Sequence, residues 1–482
     1  MHLALRRANS DQYVPPDLME LKHYLFLAMT FCFIPAAVWA GIKYQWAEKL
    51  LVVGTFFSTS YLIDINILSM EMYRGDTRGF EFGITDWMVI SLILVMSLSP
   101  RWRKKRPSLL PPNSSLMLIY LLIGIATLFV SYVPLYGAFG ISKILRAMAV
   151  YWVAYNYLRS EKDLHFILMI LASIVAFEFL LVLQQRMAGL YRAQGTLPHS
   201  NTLAMYINMM NMIFLSFVIN GRSQGYRKLV YWVALGMGTL IVLATFSRGA
   251  LAVMVMCYAL VIFMSAYDRP RPAKLKVIAV LFLCALPVAI KVTPSIIKRF
   301  ETAPINAELS RHQANDAAYA MANASWLGVG LNNYSYAVNN TEFSRYVPLE
   351  VDRGIVHNIY LLHAAEMGWI GLFVFLLMIL RFQWMAASII FKRYDSTVSH
   401  VAIGIFAAMT ALWVQSMLEW AFRQTYLTVE FFMLAGFLAA LPRVQRQIVK
   451  MKKNQRMLNK HPVRRLRPAV PIGYVQPHFS KG

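Results

Sequence analysis

The sequence predicts an all-α integral membrane protein, a polytopic bundle of about 12 to 13 transmembrane helices with one large external loop. Composition is the first reason: 58% of the 482 residues are hydrophobic and only 15% are charged, whereas soluble proteins carry about 25% charged residues. The second reason is that apolar residues form long runs, with basic residues between them and in a C-terminal tail. These features exclude a soluble enzyme, a disordered protein and a coiled coil.

The apolar runs supply the individual elements, since a spanning helix needs about 20 mostly apolar residues. Candidate spans lie near residues 24–42, 49–69, 84–99, 115–133, 141–158, 164–185, 201–220, 229–246, 249–267, 276–292, 356–380, 400–420 and 425–441. The chain therefore divides into an N-terminal segment (1–23), a transmembrane bundle (24–292), a large external loop (293–355), a second part of the bundle (356–441) and a basic cytoplasmic tail (442–482).

Lysine and arginine in short loops predict the orientation, because such loops stay on the cytoplasmic side. Basic clusters at 101–106, 222–228, 269–276 and 392–393 are therefore expected in the cytoplasm, and the loop 293–355 outside it. The start of the chain does not fit this alternation, so an external N-terminus and an early segment that does not cross both remain open. The polar, partly acidic residues before the first apolar run do not resemble the start of a signal peptide. We therefore expect this run to remain in the mature protein.

The tail from residue 442 holds eleven Lys and Arg residues and neither Asp nor Glu. Its prolines and its lack of apolar periodicity predict a disordered, solvated segment; contact with anionic membrane lipid is the alternative. The net charge of +24 follows from these loops and this tail, so we attribute it to membrane orientation and expect no nucleic-acid partner.

Metal and cofactor motifs are missing from the sequence. The three cysteines, Cys32, Cys257 and Cys284, lie inside apolar runs without a CxxC spacing, which predicts small buried side chains and no metal site. The chain contains no Walker A, GxGxxG, HExxH or GxSxG sequence and no DxD sequence in an external loop. We therefore expect neither a cofactor nor metal-dependent transfer from a nucleotide sugar.

Arginines concentrate on the predicted outer face, where the orientation rule makes them scarce. They are Arg146, Arg192, Arg248, Arg311, Arg353 and Arg423, accompanied by His357 and Glu419. An anionic ligand explains such a cluster, because guanidinium groups bind phosphate bidentately. The alternative is that each arginine pairs with a nearby carboxylate, Glu178 in the case of Arg146, or reaches toward lipid headgroups.

Two of these positions stand out for chemistry. Arg248 interrupts an apolar stretch of nearly forty residues, where an ionised side chain is costly and indicates function. His357 opens a long apolar helix just after a polar loop, and histidine can accept a proton near neutral pH. An interfacial histidine bonded to backbone is the alternative.

Several segments resemble the bacterial O-antigen ligase and O-antigen polymerase family. Thr245-Phe-Ser-Arg-Gly-Ala250 resembles the turn that opens one of its spans. Arg311 with the alanine-rich stretch after it, and then Trp326-Leu-Gly-Val-Gly-Leu-Asn-Asn-Tyr334, resemble its large external loop. His357-Asn-Ile-Tyr-Leu361 with Glu366-Met-Gly-Trp-Ile-Gly371 is similar to its next helix, and 195–204 fits an earlier segment. The resemblance covers roughly 190–375.

The resemblance implies a metal-independent, GT-C-like glycosyltransferase of the bacterial inner membrane. Such an enzyme takes a glycan from undecaprenyl diphosphate at the periplasmic face and passes it to a sugar hydroxyl in O-antigen or exopolysaccharide assembly. Arg248, Arg311 and His357 would be its catalytic residues. From the clustering on the outer face, we expect Arg146, Arg192, Arg353, Glu419 and Arg423 to bind substrate. The expected partners are the lipid-linked donor, a glycan or lipid-linked acceptor, membrane lipid, and export or chain-length proteins.

Two questions remain open at this stage. Ligases pass the glycan to a lipid A-core sugar and polymerases pass it to another lipid-linked repeat unit, and the sequence does not separate them. A transporter or flippase is the alternative function, because Asp64 and Glu178 are carboxylates in predicted spans. Convergence of the polar residues at one face favours the transferase, and a site at the membrane midplane favours transport.

Overall fold

The computed structural model describes residues 21–220, 225–268, 272, 274–283, 305–348 and 353–460, and most of them are helical. The helices are α1 (Leu21–Lys43), α2 (Gln45–Ser60), α3 (Ile84–Leu98), α4 (Pro100–Lys105), α5 (Ser114–Ala126), α6 (Pro134–Tyr157), α7 (Glu161–Met187), α8 (Ser200–Asn220), α9 (Tyr226–Ala244), α10 (Arg248–Asp268), α11 (Ile305–Ala324), α12 (Tyr334–Asn340), α13 (Ile359–Phe391), α14 (Ser396–Gln415) and α15 (Thr425–Lys460). Two short antiparallel strands, β1 (Asp64–Ile67) and β2 (Phe80–Gly83), form a hairpin with Asp64 opposite Gly83.

Eight helices of the described ranges are long and apolar enough to cross a membrane: α1, α7, α8, α9, α10, α13, α14 and α15. The all-α, polytopic class is therefore confirmed. Four more predicted spans correspond to helices outside this set: α2, α3 and α5 have only 16, 15 and 13 residues, and α6 carries Lys143 and Arg146. The predicted span 276–292 is helical up to 283, and its remainder lies outside the described residues.

The predicted span 49–69 is wrong in its second half. Helix α2 ends at Ser60, and residues 64–67 form strand β1. Polar Asp64 and Asn66 alternate there with Ile65 and Ile67, which is the period of a strand, and the backbone pairs with 80–83. Asp64 is thus an exposed residue of a hairpin and not the intramembrane carboxylate that the sequence suggested.

Helix α8 is the centre of the bundle, and its side chains from Thr202 to Asn220 are all buried. It packs against α14, α9 and α10, while α15 packs along α6. Glycine permits two of these contacts: a Cβ on Gly404 would lie 2.5 Å from the Ile213 Cα, and one on Gly436 would lie 2.7 Å from the Tyr151 carbonyl oxygen. Small residues let helix backbones approach closely in membranes.

Helix α13 is broken at Gly368, whose φ of 68° lies in the left-handed region. The break removes the intrahelical partner of the Ala365 carbonyl, which accepts a hydrogen bond from the Val329 N–H at 2.8 Å instead. A backbone break at membrane depth is tolerated where other protein groups satisfy it. The segment 326–330, between α11 and α12, therefore packs into the break.

The tail does not begin as a disordered segment, which corrects the prediction for its first part. Helix α15 continues past Pro442 to Lys460, and residues 443–457 consist largely of Lys, Arg, Gln and Met, which favour helix. Val444 and Ile448 are buried, and the Gln445 side chain accepts a hydrogen bond from the Asp395 N–H at 2.8 Å. Residues 461–482 lie outside the described residues.

The connections at one end of the bundle contact one another, and we call this end the loop end. It comprises the β hairpin, the turns around 127–133, 188–199, 245–247 and 416–424, and the described loop residues between α11 and α13. The Ala193 N–H donates to the Ala244 carbonyl at 3.1 Å, and the Ile359 N–H donates to the Ser416 carbonyl at 3.0 Å. The Tyr73 hydroxyl donates to the Asn332 carbonyl, so hairpin and loop are joined.

Candidate functional site

His357 and Glu419 form the centre of the candidate site at the loop end. His357 Nδ1 lies 3.4 Å from Glu419 Oε2, with the His357 side chain 47% exposed and the Glu419 side chain 9% exposed. The other carboxylate oxygen, Glu419 Oε1, accepts a hydrogen bond from the Asn201 amide at 2.6 Å. A carboxylate beside Nδ1 favours the tautomer that carries its proton there, which leaves Nε2 as the acceptor nitrogen of this half-exposed side chain.

Arg192 extends this arrangement toward the start of α10. Its Nη2 donates to Asn201 Oδ1 at 2.7 Å, and its Nε donates to the Thr245 carbonyl at 3.1 Å. A hydrogen-bonded chain therefore leads from His357 through Glu419, Asn201 and Arg192 to Thr245, three residues before Arg248. Asn201 was not singled out from the sequence, because an asparagine at a helix start carries no signal of its own.

The turn before α10 explains why Arg248 lies here. Phe246 adopts a left-handed φ of 48°, and the Thr245 hydroxyl accepts from the Ser247 N–H at 3.3 Å, so the chain reverses between α9 and α10. Phe246 stacks on Tyr191 with 4.9 Å between ring centroids. A Cβ on Gly249 would lie 3.6 Å from Leu418 Cδ1, which places the half-buried Arg248 beside the turn that carries Glu419.

Arg311 lies near the start of α11 with an exposed side chain. It shares the helix side of Ala318 and Ala322, at i, i+7 and i+11, and both alanines are buried. The side chain thus projects on the protein-facing side of α11, beyond the part that packs on α13. In the described part of the chain it makes no hydrogen bond or ion pair with His357 or Glu419, so both the catalytic role of Arg248, Arg311 and His357 and their convergence stay predictions.

Arg146 is paired with carboxylates, but not with the one expected. Its Nη1 lies 2.8 Å from Glu81 and its Nε lies 2.8 Å from Asp86. The expected partner Glu178 instead accepts from the Thr196 N–H at 3.1 Å. Glu178 can approach this turn because Gly195 has no Cβ, which would lie 2.1 Å from the carboxylate.

Arg423 belongs to the same buried ion network. It forms a direct ion pair with Glu366 at the break of α13 and lies 3.9 Å from Asp76. Lys143 lies 3.7 Å from Asp76 and 3.5 Å from Glu81, and it donates to the Arg423 carbonyl at 2.8 Å. The network therefore ties together the hairpin, α6, α13 and the turn 421–423.

Electrostatics within the network are mutually compensating. Burial raises the pKa of the Glu81 carboxyl, but Lys143 and Arg146 outweigh burial and hold that pKa below its ordinary value. Burial likewise opposes the charge on Arg423, and Glu366 and Asp76 outweigh it, so the pKa of the guanidinium is raised. Both groups are ionised at neutral pH, and Arg423 presents no open fork to a ligand.

The guanidinium groups of Arg353 and Arg146 are bonded to other groups of the protein, as the alternative to an anionic ligand predicted. The Arg353 guanidinium donates to the carbonyls of Val347 and Ser344 at 2.9 and 3.1 Å, so it closes the loop before α13. Their predicted role in substrate binding is not tested by these contacts. Glu366 was missed from the sequence, although a carboxylate inside an apolar span is a recognised signal.

The residues behind the transport alternative do not form a midplane site. Asp64 belongs to the exposed hairpin, and Glu178 binds the turn that contains Thr196. The predicted polar residues Arg192, Glu419 and His357 instead meet at one end of the bundle. Among the described residues, no three His, Cys, Asp or Glu side chains are grouped so that they could hold a metal ion.

Comparison with known protein families finds a match for part of the chain. Residues 229–376 match the family model described as O-antigen ligase, and this stretch contains Arg248, Arg311, Arg353 and His357. No curated protein matches the chain. The resemblance found in the sequence is thereby confirmed for the part of the chain that the family model covers.

Proposed function

We propose a specific reaction for this chain, because residues 229–376 match the family model described as O-antigen ligase, and this match indicates a membrane glycosyltransferase of the ligase or polymerase type. It transfers a glycan from undecaprenyl diphosphate to a sugar hydroxyl, without a metal ion, at the periplasmic face of a bacterial inner membrane. It acts as a polymerase or a ligase of O-antigen or exopolysaccharide. The chain of contacts from His357 to the Arg248 turn carries this proposal.

His357 is the proton acceptor in this scheme. The acceptor hydroxyl gives its proton to His357 Nε2 as its oxygen forms a bond to the anomeric carbon of the donor. Glu419 keeps the proton on Nδ1 and stabilises the imidazolium that results, as a carboxylate does in hydrolase triads. Because Glu419 is buried and also bound by Asn201, it remains in place through the reaction.

Arg248 and Arg311 hold the leaving group. The bond between the anomeric carbon and the diphosphate oxygen breaks, and undecaprenyl diphosphate departs with additional negative charge. The two guanidinium groups stabilise that charge as it develops. Arg192 positions the Arg248 turn through Thr245 and the Glu419 side chain through Asn201.

Arg146, Arg353 and Arg423 act as positioning residues in this proposal and not as substrate ligands. Arg423 joins the turn after Glu419 to Glu366 on the helix that follows His357. Arg146 joins α6 to the hairpin, and Arg353 closes the loop that leads into His357. Each guanidinium is already bonded, so binding a phosphate would require breaking those contacts first.

The orientation follows from the basic residues. The end opposite the loop end carries the Arg101–Arg106 cluster and the basic extension of α15, which is expected to face the cytoplasm. Cysteines at Asn339 and Lys460 should therefore differ in labelling by an impermeant thiol reagent. Equal labelling at both positions would contradict this orientation.

The test is product formation in membranes supplied with a lipid-linked repeat unit. Arg248→Ala, Arg311→Ala and His357→Ala should each lose roughly 10²–10³ in rate, and EDTA should have no effect. Arg345→Ala is the matched control, because Arg345 is an exposed arginine of the same loop. Longer lipid-linked chains identify a polymerase, and transfer to a separate acceptor identifies a ligase.

Two outcomes would contradict the proposal. Near-normal yield from all three variants at matched membrane abundance would refute the site, and loss of wild-type activity in EDTA would refute the metal-free mechanism. Movement of the lipid-linked glycan across the membrane without a new glycosidic bond would favour the transporter.

A further inference from the structure

Three exposed aromatic residues lie where α11 and the segment after it meet α13. Trp326 is 82% exposed, Tyr319 is 56% exposed and Trp369 is 43% exposed. The rings of Tyr319 and Trp369 lie 5.9 Å apart, and Trp369 Nε1 donates to Asn323 Oδ1 at 3.0 Å. This much exposed aromatic surface indicates a contact partner, because large apolar surface is costly in water.

The length of α13 shows where this cluster lies relative to a bilayer. The helix has 33 residues and would measure about 50 Å if straight, whereas the hydrocarbon core is about 30 Å thick. The part after Gly368 alone measures about 35 Å. Antiparallel α14 has only 20 residues, yet Ile359 reaches its end and bonds to Ser416. The part of α13 after Gly368 is therefore long enough to cross the bilayer alone. We infer that residues 359–367 run along the loop end at about the level of Ser416.

Exposure along α13 changes at the same point. None of residues 359–368 is exposed, because α11 and neighbouring helices enclose them. From Trp369 onward an exposed apolar stripe follows, formed by Trp369, Phe373, Leu377, Leu380 and Trp384. This stripe has the spacing of one helix face, so Trp369 marks the edge of the lipid-facing surface at the loop end.

Trp326 lies at the same depth as that edge. A Cβ on Gly368 would fall 1.8 Å from the Trp326 carbonyl oxygen, so the two backbones are in direct contact. Tyr319 is fixed at this level through Trp369, on the exposed side of α11. Tryptophan and tyrosine are enriched at the membrane–water interface, where their apolar rings contact lipid and their polar groups stay hydrated.

We propose that Tyr319, Trp326 and Trp369 form an interfacial seat that rests α11 on the bilayer leaflet at the loop end. The occupant of this surface is lipid, because the cluster is continuous with the lipid-facing stripe of α13. The seat fixes the height of α11 above the hydrocarbon core. It does not depend on the proposed chemistry, although under that chemistry it would hold Arg311 near the headgroups that carry the diphosphate.

The test measures depth by spin labelling in the full chain. Trp326→Cys and Tyr319→Cys are made singly in a background in which Cys32, Cys257 and Cys284 are replaced by Ala. Each is labelled with a nitroxide and reconstituted in phosphatidylethanolamine–phosphatidylglycerol vesicles. Collision rates are then compared for oxygen, which partitions into lipid, and for a water-soluble nickel chelate. Phe373→Cys is the lipid-facing control, and Asn340→Cys, on the exposed part of the loop, is the water control.

Labels at 326 and 319 should show a nickel collision rate several-fold below that at 340, with oxygen rates between those of the two controls. A second label at Asp316, on the same exposed side of α11, should be closer to the water control than the label at 319. Rates at both 326 and 319 equal to those at 340 would overturn the proposal. A nickel rate that falls only when a lipid-free acceptor glycan is added would identify a saccharide-binding surface and would also overturn it.

Discussion

Replacing Glu419 by glutamine is the sharpest probe of the proposed mechanism. Glutamine preserves the shape of the side chain and its hydrogen bond from Asn201 but removes the charge beside His357. Its amide can also donate to Nδ1, which would place the histidine proton on Nε2 and block proton acceptance. Because Glu419 does not contact substrate in this scheme, kcat should fall while KM changes little.

The structure sets the size of the expected loss. A general base contributes roughly 10²–10⁴ in rate, and Glu419 acts only through His357. The distance of 3.4 Å and the 47% exposure of His357 make this contact weaker than in a buried triad, where the corresponding change costs about 10⁴. We expect a loss of about 10² for Glu419→Gln, on the lower limit of what base catalysis supplies.

The assay is initial-rate glycan transfer in membranes, with a mutant cycle as the decisive comparison. If Glu419 acts through His357, then Glu419→Gln should have no further effect in a His357→Ala background. Glu342→Gln is the matched control, because Glu342 is an exposed acidic residue of the loop. Additive losses in the double variant, or equal losses for Glu342→Gln, would refute the proposed pairing.

Four further predictions concern stability and the tail. Arg423→Ala leaves Glu366 buried without its ion pair and should cost about 3–5 kcal/mol, measured as a lower unfolding temperature in detergent. Gly368→Ala puts a Cβ 1.8 Å from the Trp326 carbonyl oxygen and should release the loop, seen as faster proteolysis at 325–348. The depressed pKa of Glu81 contributes stability above the ordinary carboxyl range that is lost as pH falls through the depressed pKa, so Glu81→Gln should flatten the acid limb of a melting-temperature profile. Truncation after Arg456 should leave transfer intact, and loss of activity at normal membrane abundance would contradict this.

Local patterns were sufficient for much of the fold. Apolar runs of about 20 residues became helices such as α7 and α10, because length and composition decide whether a segment crosses lipid. The predicted span 49–69 was wrong in its second half, because residues 64–67 pair as a strand with 80–83 despite their apolar neighbours. The predicted end of the last helix near residue 441 was wrong, because residues of high helix propensity continue α15 past Pro442 to Lys460.

The site was predictable in part, since arginines and a histidine in unfavourable places are visible in a sequence. Their partners were not, because those contacts join distant positions. Arg146 and Glu81 are 65 residues apart, and Arg423 and Glu366 are 57 apart. No spacing rule connects such residues, so the expected Glu178 partner was wrong and the pairing of Arg423 with Glu366 was unforeseen.

The complete burial of α8 has a consequence for how the protein is made. Three polar groups on this helix find partners on helices synthesised later: the Asn208 amide donates to the Ala250 carbonyl, the Asn220 amide donates to the Ser265 hydroxyl, and the Ser216 hydroxyl donates to the His400 carbonyl. Until α10 and then α14 emerge from the ribosome, these asparagine and serine groups of α8 must therefore face lipid or be held in a protected place. We expect a chain truncated after residue 268 to be degraded faster than one truncated after 460, and equal lifetimes would contradict it. The centre of the finished bundle is thus among the last parts to become stable during synthesis.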